Sequence, residues 1–249
     1  MKKGLIVAVI LLSYIIGNLY ISERETFRVK PDEVTCRGII MPAQFQSPIL
    51  EALKHYPDLS DAHIKFELIG DGTPLVSRPT VYSTLFRKAE DRRYLIQIAT
   101  SSSIGLDSIL LEAMPHEAQV GVLGHELAHT DDFFERNTWQ MLRVAVGNLS
   151  PQFLDNFERQ TDMRAIRHGL GCQLLAWSVW VRSAVDLENH EKENIRAMEK
   201  NERYLHPTSI LNTMKTIGHP TCSAQERPRK YRGRQIAENE LDSSSVFRK

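Results

Sequence analysis

The stretch GVLGHELAHTDD, residues 121–132, contains two histidines four positions apart and a glutamate directly after the first histidine. In an α-helix, positions four apart lie about 40° from each other around the axis, so His125 and His129 share one face. Their ring nitrogens could bind one tetrahedral Zn²⁺ at about 2.0–2.1 Å. Glu126 borders the same face, where its carboxylate could accept a proton from a metal-bound water. This stretch therefore predicts a central helix that carries a zinc site.

A catalytic zinc site needs a third protein ligand and one open coordination position. With this chain's histidine and glutamate frequencies, HExxH arises by chance about 2–3% of the time, so the motif needs a partner. Glu158, in the stretch NFERQTDMRAIRHG, is the candidate third ligand. Asp162 follows four residues later on nearly the same helix face. Its carboxylate could accept a hydrogen bond from the free ring nitrogen of a ligating histidine.

Two other third ligands compete with Glu158. The pattern HExxHxxGxxH requires glycine and histidine at positions where this chain has Asp132 and Glu135, so that class of site is excluded. His168 is a more distant alternative, and it lies just beyond the predicted helix, before Gly169.

The first 22 residues predict a membrane anchor helix. Lys2 and Lys3 precede an uncharged run at residues 4–22 that is about long enough to cross a hydrocarbon core. A cleaved signal peptide is the alternative, but no small-x-small cleavage site follows the apolar run. The two lysines favour a single-pass protein of the inner membrane with its domain in the periplasm, whereas three basic residues at positions 24–30 count against that orientation. Signal cleavage would instead leave a periplasmic protein.

The composition excludes several classes of protein. Equal numbers of basic and acidic residues, 31 of each, argue against a nucleic-acid partner. Cys36, Cys172 and Cys222 lie far apart and form no CxxC pair, which excludes a cysteine-rich zinc ribbon. One disulfide would fit an oxidising compartment, although the spacing does not select a pair, and buried or unreactive thiols are the favoured interpretation.

The rest of the chain divides into three parts by composition. Residues 23–46 form a juxtamembrane segment, residues 47–221 the predicted metallopeptidase domain, and residues 222–249 a polar, basic tail. Alternating apolar residues predict strands of a small sheet on the N-terminal side of the domain, at residues 63–70, 81–86 and 94–100. Helical spacing predicts helices at residues 48–55, 116–136, 139–146, 151–167, 171–187, 188–203 and 207–217.

Three motifs resemble those of one enzyme family. EAQVGVLGHELAH, residues 117–129, resembles the active helix of the HtpX and CAAX prenyl endopeptidase type of membrane-associated zinc metallopeptidases, which are gluzincins. Glu158-x-x-x-Asp162, followed by Arg-Ala at 164–165, resembles that family's second motif. His-Pro-Thr-Ser at residues 206–209 resembles its late His-Pro segment. The motifs occur in the family's order and cover about residues 94–217, as in small periplasmic members.

The resemblance implies an α+β, mainly α-helical, zincin-like domain that binds one Zn²⁺ per chain. It implies that His125, His129 and Glu158 are the metal ligands and that Glu126 is the catalytic base.

The same resemblance implies two further roles. Asp162 would be the hydrogen-bond partner of a ligating histidine, and His206 is a candidate to stabilise the tetrahedral oxyanion. Intramembrane cleavage and prenyl-peptide processing are not implied, because this chain lacks the several membrane spans of the best-known members.

The predicted function is a zinc metalloendopeptidase that hydrolyses misfolded or membrane-proximal envelope proteins, in protein quality control. The strand at residues 94–100 could hold a polypeptide substrate as an added strand at a sheet edge, or it could be an ordinary core strand. One alternative function is a catalytically inactive, zinc-stabilised binding or chaperone-like module anchored to the membrane. Another is a structural, membrane-anchored interaction protein whose motifs are coincidental. The oligomeric state stays undetermined.

Overall fold

The computed structural model describes residues 2–103, 105–187, 203–220 and 222. Their fold is mixed α+β and mainly helical, as predicted. The described helices are α1 Lys2–Thr26, α2 Gln46–Leu53, α3 Val81–Phe86, α4 His116–Glu135, α5 Thr138–Gly147, α6 Pro151–Ala165, α7 Gly171–Leu187 and α8 Pro207–Thr216. The helix predicted at residues 188–203 and the tail predicted at residues 222–249 lie almost entirely outside the described residues.

One five-stranded sheet underlies the helices. Its strands are β1 Glu33–Cys36, β2 Ile39–Pro42, β3 His63–Asp71, β4 Leu75–Pro79 and β5 Arg93–Ser101, in the order β1-β2-β3-β5-β4. β3 and β5 pair in parallel, whereas β4 pairs antiparallel with β5. The strand predicted at residues 94–100 is therefore an inner core strand, and β4 is the edge strand on that side. β1 and β2 lie within residues 23–46 and belong to the same sheet.

The predicted strand at residues 81–86 is wrong, because these residues form α3. Thr80 caps this helix, since its hydroxyl accepts a hydrogen bond from the amide of Ser83 at 3.4 Å. The cap satisfies an amide at the start of the helix and outweighs the β propensity of Val81 and Tyr82. β4, which the sequence did not predict, ends at Pro79 immediately before this cap.

Helix α1 covers the predicted anchor and ends against the domain. Near its end, the carboxylate of Glu23 is almost fully buried and pairs with Arg87 at 2.9 Å and Arg93 at 3.6 Å. The amide of Ser83 also donates to it at 3.1 Å. Among the described residues, no helix has both the length and the apolar character that a membrane crossing needs.

Two apolar clusters hold the helices together. The larger packs α4 between the sheet and helices α2 and α7. The smaller lies between α7 and α8 and includes Cys172 and Cys222. These two cysteines form a disulfide with a Cα–Cα distance of 5.4 Å, and Cys36 is free. The interpretation of the cysteines as unreactive thiols is therefore wrong for Cys172 and Cys222, and the tertiary structure selects the pair that the spacing had left open.

Candidate metal centre

Helix α4 can carry the centre because two glycines let α7 and the residue before it, Leu170, approach closely. A Cβ atom on Gly121 would lie 2.1 Å from the carbonyl oxygen of Gln173, and one on Gly124 would lie 2.4 Å from Cδ1 of Leu170. Tyr56 also holds α4, because its hydroxyl donates to the carbonyl of Gly124 at 2.6 Å. The next turn of α4, which carries HExxH, is consequently buried on all sides.

The three predicted metal ligands lie together. The Nε2 atoms of His125 and His129 lie 3.1 Å and 3.2 Å from one oxygen, Oε2 of Glu158. Potential ligand atoms of the three residues all lie within 4.8 Å of one another. A tetrahedral ion with bonds of about 2.0–2.2 Å separates its ligand atoms by roughly 3.3–3.5 Å. The donor set therefore fits a tetrahedral metal ion after only small shifts.

Hydrogen bonds at the other ring nitrogens orient both imidazoles. Nδ1 of His125 lies 2.8 Å from Oδ1 of Asp162, to which it donates. Nδ1 of His129 lies 3.2 Å from the hydroxyl of Thr161, which itself donates to the carbonyl of Phe157 at 3.0 Å. The Thr161 oxygen must then accept from His129. These bonds place a proton on Nδ1 of each ring, so Nε2 is the atom through which each neutral imidazole would bind a metal.

The electrostatics of the metal-free cluster are those of coupled, opposite charges. Burial lowers the pKa of His125, but hydrogen bonds to Asp162 and Glu158 outweigh it and hold that pKa well above its usual value. Burial alone would raise the pKa of Glu158. The two histidines together have the larger effect, and they hold this pKa well below its usual range. A carboxylate that stays ionised beside two imidazoles is a suitable ligand for a cation.

Glu126 is buried beside the cluster. Burial raises the pKa of its carboxyl group, and the neighbouring histidines only partly offset this effect. The backbone of Ser77, in the edge strand β4, lies beside the carboxylate and lowers its pKa slightly. A carboxylate with a raised pKa accepts a proton more readily near neutral pH, as a general base requires.

Strand β4 is fixed above α4 by hydroxyl groups. The hydroxyls of Ser77 and Thr130 lie 2.9 Å apart, and Thr130 donates to the carbonyl of Glu126 at 3.2 Å. One side of β4 pairs with β5, and its other side pairs with no described strand. A free strand edge thus runs beside the predicted catalytic base.

The segment before α8 reaches the centre through Tyr204 and Leu205, which the sequence did not single out. The amide of Leu205 donates to Oδ2 of Asp162 at 2.6 Å, so Asp162 joins this segment to His125. The Tyr204 ring lies 5.6 Å from the His125 ring and 5.5 Å from that of Trp177. The only signal in the sequence is that both residues directly precede the His-Pro motif.

Tyr204 keeps its proton in this position. Burial raises the pKa of its hydroxyl well above the usual value, and the carboxylates of Glu158, Glu126 and Asp162 raise it further. Tyr204 is therefore a neutral donor close to the predicted ligand and base.

His206 caps α8. Its Nδ1 accepts a hydrogen bond from the amide of Thr208 at 3.4 Å and lies 2.9 Å from the Thr208 hydroxyl. Its predicted role at the oxyanion stays a prediction.

The competing ligand positions belong to a separate network. Arg164 binds Asp131 at 2.6 Å, Asp132 at 3.4 Å and Glu135 at 2.9 Å. Nε2 of His168 lies 3.2 Å from the Asp131 carboxylate, and its Nδ1 donates to the carbonyl of His55. His168 is therefore not part of the metal-ligand cluster.

The chain matches no protein-family model, no curated protein and no solved structure. The geometry of the metal centre and the three sequence motifs are therefore the observations that bear on function.

Proposed function

We propose that this protein is a zinc metalloendopeptidase with a zincin-like domain, in which His125, His129 and Glu158 would hold one Zn²⁺ per chain. The observation that carries the proposal is the approach of both Nε2 atoms to one Glu158 oxygen, at 3.1 Å and 3.2 Å. When bound, zinc would polarise the scissile carbonyl and acidify the attacking water.

The chain's own residues supply the remaining steps. Glu126 accepts a proton from the attacking water and passes it to the leaving amine. Tyr204 donates a hydrogen bond to the developing oxyanion, and His206 is a second candidate donor. Asp162 and Thr161 hold the two imidazoles in the productive orientation.

The free edge of β4 is the proposed binding site for substrate. An extended polypeptide would add to this edge as a strand, and its main-chain hydrogen bonds would supply affinity with little demand on its sequence. Such binding suits misfolded or membrane-proximal polypeptides in the cell envelope.

The proposed location is the periplasmic side of the inner membrane, with α1 as the anchor. The Cys172–Cys222 disulfide supports an oxidising compartment, because such bonds persist mainly outside the cytosol. Residues 4–22 contain no charged side chain, which supports the anchor.

The test compares full-length wild type with Glu126→Gln on unfolded casein. We expect wild type to cleave internal bonds in a reaction that a chelator stops, and Glu126→Gln to retain stoichiometric zinc but lose cleavage. Glu117→Gln, on the same helix but outside the cluster, is the matched control and should cleave like wild type. Equal behaviour of all three proteins with zinc retained would favour the inactive binding module. Absence of stoichiometric zinc would instead favour the structural interaction protein.

A further inference from the structure

Residues 137–154 form a distinct part of the surface that consists of helix α5, the following turn and the first residues of α6. We name this segment the α5 hairpin. Its only charged side chain is that of Arg143, and it contains no acidic residue. Asn137 and Gln140 form a reciprocal capping box that begins α5, and Ser150 caps α6. The hairpin is thus well-formed structure with an unusually apolar composition.

One face of α5 exposes large apolar side chains. Trp139 is 78% exposed and Val146 is 68% exposed, and Leu142 is also exposed. These positions fall within about 60° of one another around the helix, whereas Met141 and Val144 on the opposite face are buried in the core. Leu149 in the turn is 84% exposed, so the apolar face extends beyond the helix end.

Helix α5 contacts α3, and α3 contacts α1. The hydroxyl of Thr138 donates to the carbonyl of Thr84 at 3.0 Å, which joins α5 to α3. The rings of Tyr82 and Tyr20 lie 5.2 Å apart and join α3 to α1. Exposed apolar side chains on these two helices are Leu11, Leu12, Tyr14, Ile15, Tyr20, Ile21, Val81, Leu85 and Phe86.

We propose that the α5 hairpin is a membrane-contact surface that inserts Trp139, Leu142 and Val146 into the interface of a phospholipid bilayer. Tryptophan and aliphatic side chains on one face of an amphipathic helix favour this boundary. Arg143 lies about 40° from Trp139 around the helix, where its long side chain can reach lipid phosphates. The lack of acidic residues removes repulsion from anionic headgroups.

The contact with α1, made through α3, favours a bilayer over a polypeptide as the occupant. The hairpin joins, through α3, the helix that contains the uncharged run at residues 4–22. The buried Glu23 carboxylate, paired with Arg87 and Arg93, fixes the end of α1 on the domain. If α1 is the proposed anchor, a bilayer that receives it lies within reach of α3 and α5.

The hairpin also borders the candidate metal centre. The Phe153 ring, partly exposed in the hairpin, lies 6.0 Å from that of Phe157, which lies 5.1 Å from the ring of His129. If the proposed peptidase function holds, this contact would present the centre to polypeptides at the membrane surface. The membrane contact itself does not depend on that function.

The experiment measures tryptophan emission of the full chain in mixed phosphatidylcholine and phosphatidylglycerol vesicles, with and without brominated acyl chains. Trp139 is exposed, whereas Trp177 and Trp180 pack against the core, so short-range quenching by bromine reports on Trp139. We expect a loss of emission in brominated vesicles, and Trp139→Phe should abolish that loss. Leu142→Glu combined with Val146→Glu should also abolish it.

Leu211→Glu, at an exposed apolar position on α8, is the matched control and should be quenched like wild type. If brominated lipid left the emission of wild type unchanged, the proposal would be overturned, because the α5 hairpin would then not enter the bilayer. The proposal would equally fall if unfolded casein, and not lipid, shifted the Trp139 emission. Casein cleavage is scored separately, so failure of this contact and failure of the peptidase proposal are distinguishable.

Discussion

The orientation of the His129 ring depends on one hydroxyl group, that of Thr161. It donates to the carbonyl of Phe157 and can therefore only accept from Nδ1 of His129. Asp162 acts in the same way on His125 and also accepts from the amide of Leu205. Two consecutive residues thus set both imidazole tautomers, and one of them ties the centre to the segment before α8.

Replacement of Thr161 by valine should weaken zinc binding. The valine side chain has nearly the same shape but cannot accept from His129, so we expect the affinity for zinc to fall about 10- to 100-fold. Titration of the full chain against a chelating zinc dye measures this change. Thr161→Ser keeps the hydroxyl and should bind zinc like wild type; equal affinities for all three proteins would contradict the tautomer argument.

Replacement of Tyr204 by phenylalanine should slow the reaction without removing zinc. Loss of one donor to an oxyanion costs about 10²- to 10³-fold in kcat, because its hydrogen bond is stronger in the transition state. We expect KM and zinc content to stay near those of wild type. Steady-state kinetics on a casein-derived peptide would measure kcat and KM separately. The same measurement on His206→Gln decides which of the two residues is the donor.

At the scale of elements, the position of α4 depends on how closely α7 approaches it. Gly121 faces the backbone of Gln173, which cannot move aside without shifting the helix. Gly124 faces the end of the Leu170 side chain, which can adopt another rotamer. A side chain is therefore tolerated less well at the first glycine of GVLGHELAH than at the second, a difference that the sequence alone does not indicate.

Gly121→Ala should destabilise the protein more than Gly124→Ala. Alanine gains roughly 0.5–1 kcal/mol over glycine inside a helix, but overpacking against fixed backbone typically costs about 1–3 kcal/mol. We expect a lower free energy of unfolding for Gly121→Ala in urea titrations of the detergent-solubilised chain. Gly17→Ala is the control, since no atom lies within 4 Å of its Cβ position, and a ranking with Gly124→Ala as the less stable variant would refute this account.

At the scale of the whole molecule, the disulfide and α1 connect distant parts of the chain. Cys172 and Cys222 lie 50 residues apart and hold the end of the described chain against the start of α7. The same apolar cluster contains Leu205, whose amide binds Asp162. The disulfide therefore lies in the same apolar cluster as a residue that contacts the metal centre.

Loss of this disulfide should destabilise the fold. Cross-linking over a loop of this length removes chain entropy worth about 4 kcal/mol from the unfolded state. We expect Cys172→Ala combined with Cys222→Ala to lower the thermal unfolding temperature, as measured by circular dichroism. Cys36→Ala removes the free thiol and should leave that temperature unchanged; no difference between these variants would show that the bond does not form in the protein.

Prediction from sequence succeeded where the signal was local. Helix α4 and the approach of His125 to His129 follow from a spacing of four, because each helical residue advances about 100°. Glu158 and Asp162 were found by the same rule within α6. The prediction failed at residues 81–86, where the cap at Thr80 and the contacts of α3 with α1 and α5 outweighed β propensity.

The sequence by itself determined the helical face that carries the two imidazoles, the strands β3 and β5, and the mixed α+β class. Only the tertiary structure decided that Glu158 contacts both imidazoles, that Cys172 pairs with Cys222, and that Tyr204 lies beside His125. The physical reason is the separation along the sequence over which each interaction acts. Periodicity and capping act between residues a few positions apart, whereas these contacts join segments tens of residues apart. Such contacts depend on how the helices and the sheet pack together as a whole.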